Sequence, residues 1–413
     1  MLAVVTAAVG VAVMTCGAVT PSWAEGAPPP AAEPQVLGGF ALGDGIEGMI
    51  DPRSGAFSFA LPVAGISIGW DSRQAADRRS PLGGGWHIAG LARVETEGAV
   101  RVSPSSGGVY VASASAASGL AGYLLGDVVF TQGLVDVPAR PDGQRGGVQA
   151  AFELAELGGA RTFFSAEGDP VVRMDADGNR LDWVWGVGHQ LLEAIDVAGA
   201  TTTLDWSDPG RVAVTTSAGA AETKAIVELD GGRVSATVNA VGDRVRIGYT
   251  AEGLVERISG VSGAATEAVW QRLIDGQAAV DRVRVTEAAT GAELSTRRWE
   301  ARAGLASGWP VDPGTEPHSA QAAASRYTAA ISDGVSTVVS AFDGHQRLLE
   351  QEFEVTTGSG PVVVQRQMFE YPEGGESSPA ALPPQYAQPA KVTATHLNSD
   401  VAARQASESF EFD

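Results

Sequence analysis

The residues best suited to chemistry lie in the stretch SPLGGGWHIAGLARVE, residues 80 to 95. Three consecutive glycines, Gly83 to Gly85, could cradle a phosphate, and His87 could act beside them as a general base. A phosphate-binding loop requires Gly-Lys-Ser/Thr after its glycines, and a dinucleotide-binding loop requires a following helix and a distant acidic residue. Neither pattern follows here. The stretch therefore favours a sharp corner in a sheet, in which Gly83 and Gly85 make the bend and Trp86 packs as its anchor.

Other catalytic or metal-binding arrangements have little support in the sequence. The five histidines are scattered, and no two of them have the i, i+2 or i, i+4 spacing typical of metal ligands. The stretch GVSGA, residues 260 to 264, is one residue short of a Gly-x-Ser-x-Gly nucleophile elbow. The single cysteine, Cys16, lies in a segment that we expect to be removed, which leaves no thiol in the mature chain. We predict no catalytic residue, no cofactor and no metal.

Two motifs allow a second interpretation. The stretch DADGN, residues 175 to 179, is similar to the start of an EF-hand calcium loop, but Arg180 and Gly186 stand where that loop needs Gly and Glu. Asp and Asn beside Gly also suit a tight turn, which we favour. The nine tryptophans could line a sugar-binding groove, since Trp183 and Trp185 share one face of a strand. Packing in the core is the alternative that we favour for them.

Composition and the N-terminus indicate an exported protein. The chain of 413 residues carries 28 Lys and Arg against 49 Asp and Glu, a net charge of −21, which argues against a nucleic-acid partner. Residues 1–24 are apolar and end in a small residue, so we predict a signal peptide cleaved between Ala24 and Glu25. A retained membrane anchor is the alternative. Residues 25–38 form a linker rich in Pro and Ala. We expect a secreted or cell-surface protein.

From residue 39 onward the sequence predicts an all-β fold. Short alternating runs such as RVAVTTS (211–217) and DRVRIGYT (243–250) recur between turn residues, and the best helix candidate is residues 319–331. Many turns share one form, in which an aromatic or apolar residue precedes Asp, one or two small residues and Gly. Hairpins of this kind must stack into a continuous sheet to bury their apolar faces. We divide the chain into an N-terminal β segment, 39–105, and a β-repeat region, 106–413, that continues beyond the chain end.

The turns resemble the YD repeat, whose usual form is Tyr-Asp, two residues and Gly-Arg-Leu. The stretch FDGHQRLLEQ supplies Asp343 and Arg347. The stretch DADGNRLDW supplies Asp175, Gly178 and Arg180, and YTAEGLVERI supplies Tyr249 and Gly253. Residues 51–63 and 80–95 are similar to the first strands of Rhs and toxin-complex B-type proteins, where Leu82, Gly83, Gly85, Trp86 and Leu91 carry the match.

The resemblance implies a fold and a role. In that family the repeat strands wind as a spiral into a hollow β-shell around a toxic C-terminal domain, so this chain would be an incomplete, non-enzymatic portion of such a shell. Its partner would be the remainder of the same polypeptide, held as cargo. One alternative is a cell-surface adhesin or carbohydrate-binding β-array, for which glycans would be the partner. A second alternative is a secreted β-propeller or β-helix hydrolase.

Overall fold

The structure is a computed structural model. It describes residues 39–76, 79–95, 101–103, 110–111, 128–156, 159–273, 278–303, 326–343, 347–371, 389–398 and 401–409. The predicted signal peptide with its Ala24–Glu25 cleavage site, the linker 25–38, and the predicted boundary between residues 105 and 106 lie outside these residues.

Two small sheets come first among the described residues. The five-stranded sheet, called here the N-terminal sheet, runs in the order β1 (Gly39–Gly43), β2 (Ile46–Ile50), β3 (Phe57–Val63), β4 (Ile66–Asp71) and β5 (Trp86–Ile88), with a 3-10 turn at Ser72–Gln74. A three-stranded sheet follows, with β6 (Arg93–Glu95), β7 (Arg101–Ser103) and β8 (Tyr110–Val111). Each strand pairs antiparallel with the next one in the chain.

The remaining strands form one large sheet in which each strand again pairs antiparallel with the next. Its first strands are β9 (Val128–Val137), β10 (Val148–Glu156), β11 (Arg161–Phe164), β12 (Pro170–Met174), β13 (Arg180–Trp185), β14 (Leu191–Ile195), β15 (Thr201–Asp208), β16 (Arg211–Ala218), β17 (Ala221–Asp230), β18 (Arg233–Val238) and β19 (Arg244–Tyr249). The others are β20 (Val255–Ser259), β21 (Ala264–Arg272), β22 (Ala278–Glu287), β23 (Glu293–Ala303), β24 (Arg326–Ser332), β25 (Ser336–Asp343), β26 (Leu348–Thr357), β27 (Gly360–Glu370), β28 (Lys391–Asn398) and β29 (Val401–Ser409).

The all-β prediction is confirmed, and the helix candidate at 319–331 is wrong for the residues that the structure describes. Residues 326–331 of that stretch belong to strand β24. In it Tyr327, Ala329 and Ile331 face the core, while both long edges pair with β23 and β25. Alanine favours a helix in isolation, but pairing on both sides outweighs that preference.

Alternating side chains make the strands two-faced. In β3, Phe57, Phe59, Leu61 and Val63 are buried, while the residues between them lie on the opposite face of the sheet. This period of two lets the N-terminal sheet present a wholly apolar face to a second apolar surface.

That second surface belongs to the large sheet. The buried cluster joins Phe57 and Trp70 of the N-terminal sheet to side chains on β13 through β25, such as Trp183, Val234 and Ile331. We call the face of the large sheet that packs here its inner face, and the opposite face its outer face. The resemblance implies a hollow shell. In the described residues, however, the N-terminal sheet covers the inner face of β13 to β25.

Aromatic rings form the centre of this core. The rings of Trp70 and Trp270 meet edge to face with their centroids 6.0 Å apart, and Phe57 lies 6.4 Å from each of them. The ring of Trp86 stands perpendicular to that of Phe59 at 5.7 Å. Edge-to-face pairs at these distances add stability beyond the burial of apolar area alone.

Hydrogen bonds fix the N-terminal sheet on the large sheet at widely spaced points. Each bond joins a loop, a turn or strand β1 of the N-terminal segment to one strand or turn of the large sheet: Ser262 N to Asp44 Oδ1 (2.7 Å), Thr266 Oγ1 to Leu42 O (3.0 Å), Val280 N to Gly55 O (2.9 Å), Val234 N to Leu82 O (3.1 Å) and Trp299 Nε1 to Pro52 O (3.0 Å). These bonds therefore fix the position of the N-terminal sheet on the large sheet. Among the described residues, no helix has the length and apolar character needed to cross a membrane.

Candidate functional site at the glycine corner

The glycine corner is a tight turn that leads into β5. Gly83 and Gly85 have φ angles of +96° and +82°, a region that residues with a Cβ atom rarely adopt. The N–H of Gly83 donates to Ser80 O at 3.0 Å, and the N–H of Trp86 donates to Gly83 O at 3.1 Å. A Cβ atom on Gly85 would lie 2.5 Å from Trp70 Nε1, so the backbone passes directly against the aromatic core.

Trp86 connects this corner to the repeat region. Its side chain is fully buried, and its Nε1 donates a hydrogen bond of 2.7 Å to the hydroxyl of Tyr249, 163 residues away in sequence. The Tyr249 hydroxyl donates in turn to the carbonyl oxygen of Val234. Burial raises the pKa of Tyr249 well above its ordinary value, although the bond from Trp86 and the charge of Arg233 act the other way. The phenol is therefore a neutral donor that closes a polar chain inside the core.

Arg233 completes the contact from the side of the large sheet. Its guanidinium lies over the Tyr249 ring, 4.8 Å from the centroid. A Cβ atom on Gly83 would lie 2.8 Å from the Arg233 Cα, and one on Gly253 would lie 3.4 Å from Arg233 Nη1. The structure thus brings together five of the predicted residues: Gly83, Gly85, Trp86, Tyr249 and Gly253.

The bond from Tyr249 to Val234 belongs to a series. Four aromatic side chains, each shortly before a turn at the same end of the large sheet, donate to the carbonyl oxygen of the residue 15 positions earlier: Trp185 to Pro170, Trp206 to Leu191, Tyr249 to Val234 and Trp270 to Val255. Each bond joins the end of one strand to the beginning of the preceding strand. The aromatic position of the repeat is therefore a polar tether as well as an apolar side chain.

Sequence reasoning missed this tether, although a signal for it exists. Trp185 and Trp206 are 21 residues apart, and so are Tyr249 and Trp270. That interval equals two strands with their two turns, which returns the chain to the same end of the sheet. The tryptophans Trp185 and Trp206 are half-buried with their Nε1 atoms bonded to backbone, and Trp183 is buried. These three side chains do not form the exposed row that a sugar platform would need.

The second group of predicted residues forms a turn at the other end of the sheet. The backbone N–H of Asp175 donates to Asn179 O at 3.0 Å, and that of Gly178 donates to Asp175 O at 3.1 Å. The Asp175 carboxylate accepts from the N–H of Asp177 at 3.0 Å and from that of Asn179 at 2.8 Å. The side-chain amide of Asn179 also donates to Asp175 Oδ2, at 2.7 Å. This bond is the main cause that holds the pKa of Asp175 below its ordinary value, and the two backbone bonds act in the same direction. The carboxylate is engaged within its own turn.

The same five-residue turn recurs along the large sheet. Its first residue accepts from the N–H of the fifth through a side-chain oxygen in five further cases: Ser165 and Asp169, Asp196 and Ala200, Asn239 and Asp243, Thr250 and Leu254, Asp343 and Arg347. Asp, Asn, Ser and Thr all place an oxygen at the required distance, which explains why the first position varies among them. In the last case Arg347 Nε also bonds to Asp343 Oδ2 at 2.8 Å, and its guanidinium lies 4.7 Å from the Tyr371 ring centroid.

Arg180 lies in a buried ionic cluster. Asp182 has no exposed surface and accepts from Arg180 Nη2 at 2.6 Å and from Arg140 Nη1 at 3.1 Å. Arg180 also donates to the carbonyl oxygen of Pro138, and Arg140 to that of Arg180. Since Trp183 faces the core, Asp182 faces outward, and residues 138–145 cover it. The arginine of the repeat motif here fixes a loop over the outer face.

Two of the histidines, His87 and His189, lie at one small cavity. His87 is half-buried, and its Nδ1 lies 3.2 Å from Gly85 O. His189 Nδ1 lies 2.8 Å from Asp169 Oδ1, and burial raises the pKa of that carboxyl despite the bond. Both histidines line a cavity of about 30 Å³ together with Trp185, which is room for about one water molecule. Among the described residues, no cluster of three or more His, Cys, Asp or Glu could hold a metal ion.

A larger cavity lies on the other face of the N-terminal sheet. It has a volume of about 660 Å³ and is lined by Ser58, Ala60 and Gly69 of that sheet and by Phe342 of β25. Arg73 closes one side, where it donates to Asp71 Oδ2 at 2.6 Å and to Asp51 Oδ2 at 3.3 Å. The space is bounded by small side chains of the N-terminal sheet, by larger apolar side chains such as Met49 and Phe342, and by the paired charges of Arg73, Asp51 and Asp71.

Two glycines with similar backbone angles are expected to differ in their tolerance of a side chain. Gly178, with φ +83°, has no atom within 4 Å of the position that a Cβ would occupy. Gly178→Ala should therefore lower the free energy of unfolding by about 1–2 kcal/mol, because Ala disfavours the left-handed conformation. Gly83→Ala should cost about 1–3 kcal/mol more, because its Cβ would meet the Arg233 backbone. Chemical unfolding of both variants measures the difference. Gly178→Asn is the control, since Asn tolerates this conformation, and equal losses for the two Ala variants would contradict the close approach at the corner.

Stability should fall below neutral pH in a way that depends on His87. Burial lowers the pKa of His87 below its ordinary 6.5, although the Gly85 bond and the Asp71 charge act the other way. As the pH falls below 6.5, the unfolded chain binds a proton there that the folded ring does not, so the native state loses up to about 1.4 kcal/mol per pH unit. Between pH 7.5 and 5, the melting temperature of His87→Gln should decline less steeply than that of the unmodified protein. Parallel curves for the two proteins would contradict this assignment.

Comparison with known proteins gives structural likeness without sequence likeness. No family model matches the chain. No curated protein matches it either. Among solved structures, a TcdB2-TccC3-TEV chain is 8% identical over 85% of this chain, with a TM-score of 0.23. TcdB2-TccC3 without its hypervariable C-terminal region is 8% identical over 86%, with a TM-score of 0.26.

A third solved structure comes from a different kind of protein. A porin-like protein from Bacteroides uniformis is 9% identical over 68% of this chain and 94% of its own, with a TM-score of 0.22. The chain spans 22% of the TcdB2-TccC3-TEV chain and 21% of the chain without the hypervariable region, about one fifth of each.

Proposed function

We propose that this chain is an exported portion of the wall of a YD-repeat or Rhs-type β-shell, which encloses or displays a C-terminal effector encoded on the same polypeptide. The wall acts by containment and carries no catalytic residue. The observation that carries the proposal is the large sheet itself. From β9 to β29 each strand pairs with the next, so the wall between them offers no free strand edge.

The tether and turn series support a wall built from repeats. Aromatic side chains lock one end of successive hairpins, and Asp, Asn, Ser or Thr residues cap the turns of both ends. Each hairpin thereby holds its register against its neighbours rather than through a core of its own. The N-terminal sheet braces the inner face over β13 to β25, where the glycine corner is one of its attachments.

Limited proteolysis of the full-length natural polypeptide tests the proposal, with the proposed C-terminal effector, called here the downstream segment, as the part that is followed. We expect the downstream segment to resist a protease added outside and to become sensitive when the wall is opened by Trp86→Ala. His87→Ala serves as the matched control and should leave the protection unchanged. Cleavage of the downstream segment at the same rate in the unmodified protein and after denaturation would contradict containment.

A further inference from the structure

Arginine side chains gather on the outer face of the large sheet, in a protein whose net charge is −21. Val283 and Val285 of β22 pack in the core, so Arg282 and Arg284, which alternate with them, stand on the outer face. The same alternation places arginines of β19, β20 and β23 on this face. We call the five residues Arg246, Arg257, Arg282, Arg284 and Arg298 the arginine patch.

The strand register brings the members of the arginine patch together. Arg282 of β22 lies directly opposite Arg298 of β23. Arg257 of β20 and Arg284 of β22 lie opposite Glu267 of β21, one on each side of it. Glu267 bonds to Arg284 at 2.6 Å, so this carboxylate already has a partner within the patch. Neighbouring strands are about 4.8 Å apart, so Arg282 and Arg298 are close enough to share one ligand, and Arg257 and Arg284 flank Glu267 on the same face.

Several polar atoms within the patch lack a partner. Arg282 Nε, Arg284 Nε and Thr296 Oγ1 are buried without a hydrogen bond, and Thr296 lies directly opposite Arg284. Like charges opposite each other in a sheet cost stability, and so does a buried polar atom without a partner. The like-charge pair and the unpaired atoms therefore cost the fold stability. A bound anion that also carries hydroxyl groups would offset the like charges, and rotation of the side chains on binding would give the three covered atoms a partner.

We propose that the arginine patch binds an acidic oligosaccharide. The planar guanidinium fork of arginine matches a carboxylate through two parallel hydrogen bonds, and the Thr296 hydroxyl, which is covered in the unbound protein, can pair with a sugar hydroxyl after its side chain rotates. The patch lies within the sheet, where each strand is already paired on both sides, so an acidic peptide cannot add to it as a strand.

The charge of the whole protein limits the size of the ligand. Exposed charges act over a Debye length of about 10 Å, so a compact anion on the patch interacts mainly with the arginines. A long polyanion or an anionic membrane would also meet the remaining acidic surface, whose sign is the same. An oligosaccharide of a few residues is therefore favoured. Binding at the patch does not depend on whether the wall encloses an effector.

Binding of tetragalacturonate at low salt, measured by calorimetry, tests the site, with neutral galactotetraose as the uncharged counterpart. We expect the acidic sugar alone to bind, and Arg282→Gln/Arg298→Gln to weaken its binding about tenfold or more. The control Arg211→Gln/Lys224→Gln removes the same charge at exposed positions on β16 and β17 and should bind as the unmodified protein does.

The outcomes separate the site from general electrostatics. The patch variant should melt no lower than the unmodified protein, because it removes a like-charge pair, and this shows that lost binding is not lost folding. No binding of tetragalacturonate, or equal weakening in the patch and control variants, would overturn the proposal. Equal or tighter binding of hexaglutamate or tripolyphosphate would overturn the assignment to a sugar.

Discussion

Trp86→Ala is expected to lower the free energy of unfolding by about 3–5 kcal/mol, the cost of removing a buried aromatic side chain from a packed core. The side chain is fully buried, and its ring stands against Phe59 at 5.7 Å. Truncation would also remove the donor that bonds to the Tyr249 hydroxyl at 2.7 Å. Because this contact joins the N-terminal sheet to the large sheet, both should loosen together. Equilibrium unfolding in urea measures the loss.

Two variants separate the contributions at this position. Trp86→Phe keeps an aromatic ring and removes the Nε1 donor, so it should cost about 1 kcal/mol for the hydrogen bond plus a smaller packing loss. His87→Ala changes the next residue, which points to the opposite face of β5, and should cost little. If His87→Ala destabilised the protein as much as Trp86→Ala, or abolished a measurable activity, the interpretation of the corner as a structural attachment would be wrong.

Asp182→Ala is expected to have an effect of similar size, about 3–5 kcal/mol, for an electrostatic reason. The carboxylate is fully buried between Arg140 and Arg180, so its removal leaves the buried Arg180 without its counter-charge and Arg140 with only the half-exposed Asp142. The loop 138–145, which these arginines hold over the outer face, should detach. Hydrogen exchange of the loop amides together with urea unfolding would detect this.

Asp142→Ala is the matched control for this cluster. Asp142 also bonds to Arg140, at 3.0 Å, but its side chain is 42% exposed. Water can replace it, so we expect little change in the unfolding curve. If Asp142→Ala and Asp182→Ala destabilised the protein equally, burial of the carboxylate would not be the source of the effect.

The sequence allowed the local features of this fold to be predicted, because they depend on neighbouring residues. Asp175 and Gly178 indicate a turn through the side-chain oxygen and the positive φ that such a turn needs. Alternation in β3 shows which side chains are buried. The glycine corner at Gly83 is of the same kind, since glycines can adopt the positive φ that a tight corner needs.

The contacts between distant segments could not be predicted in the same way. Nothing near Trp86 indicates that Tyr249 receives its hydrogen bond, because that pairing depends on how the N-terminal sheet lies on the large one. Asp182 stands in an apolar run, and its burial depends on Arg140 in a loop of another hairpin. The pairing of Arg282 with Arg298 likewise requires the register of two strands. Such contacts depend on tertiary geometry that periodicity does not encode.

Containment requires the large sheet to be a wall around the polypeptide that follows it. Cryo-electron microscopy of the full-length natural polypeptide would show directly where the proposed effector, the downstream segment, lies. We expect density for the downstream segment on the inner side of β9 to β29, beyond the N-terminal sheet. Density for that segment on the outer face, or a separately folded domain tethered away from the wall, would contradict containment.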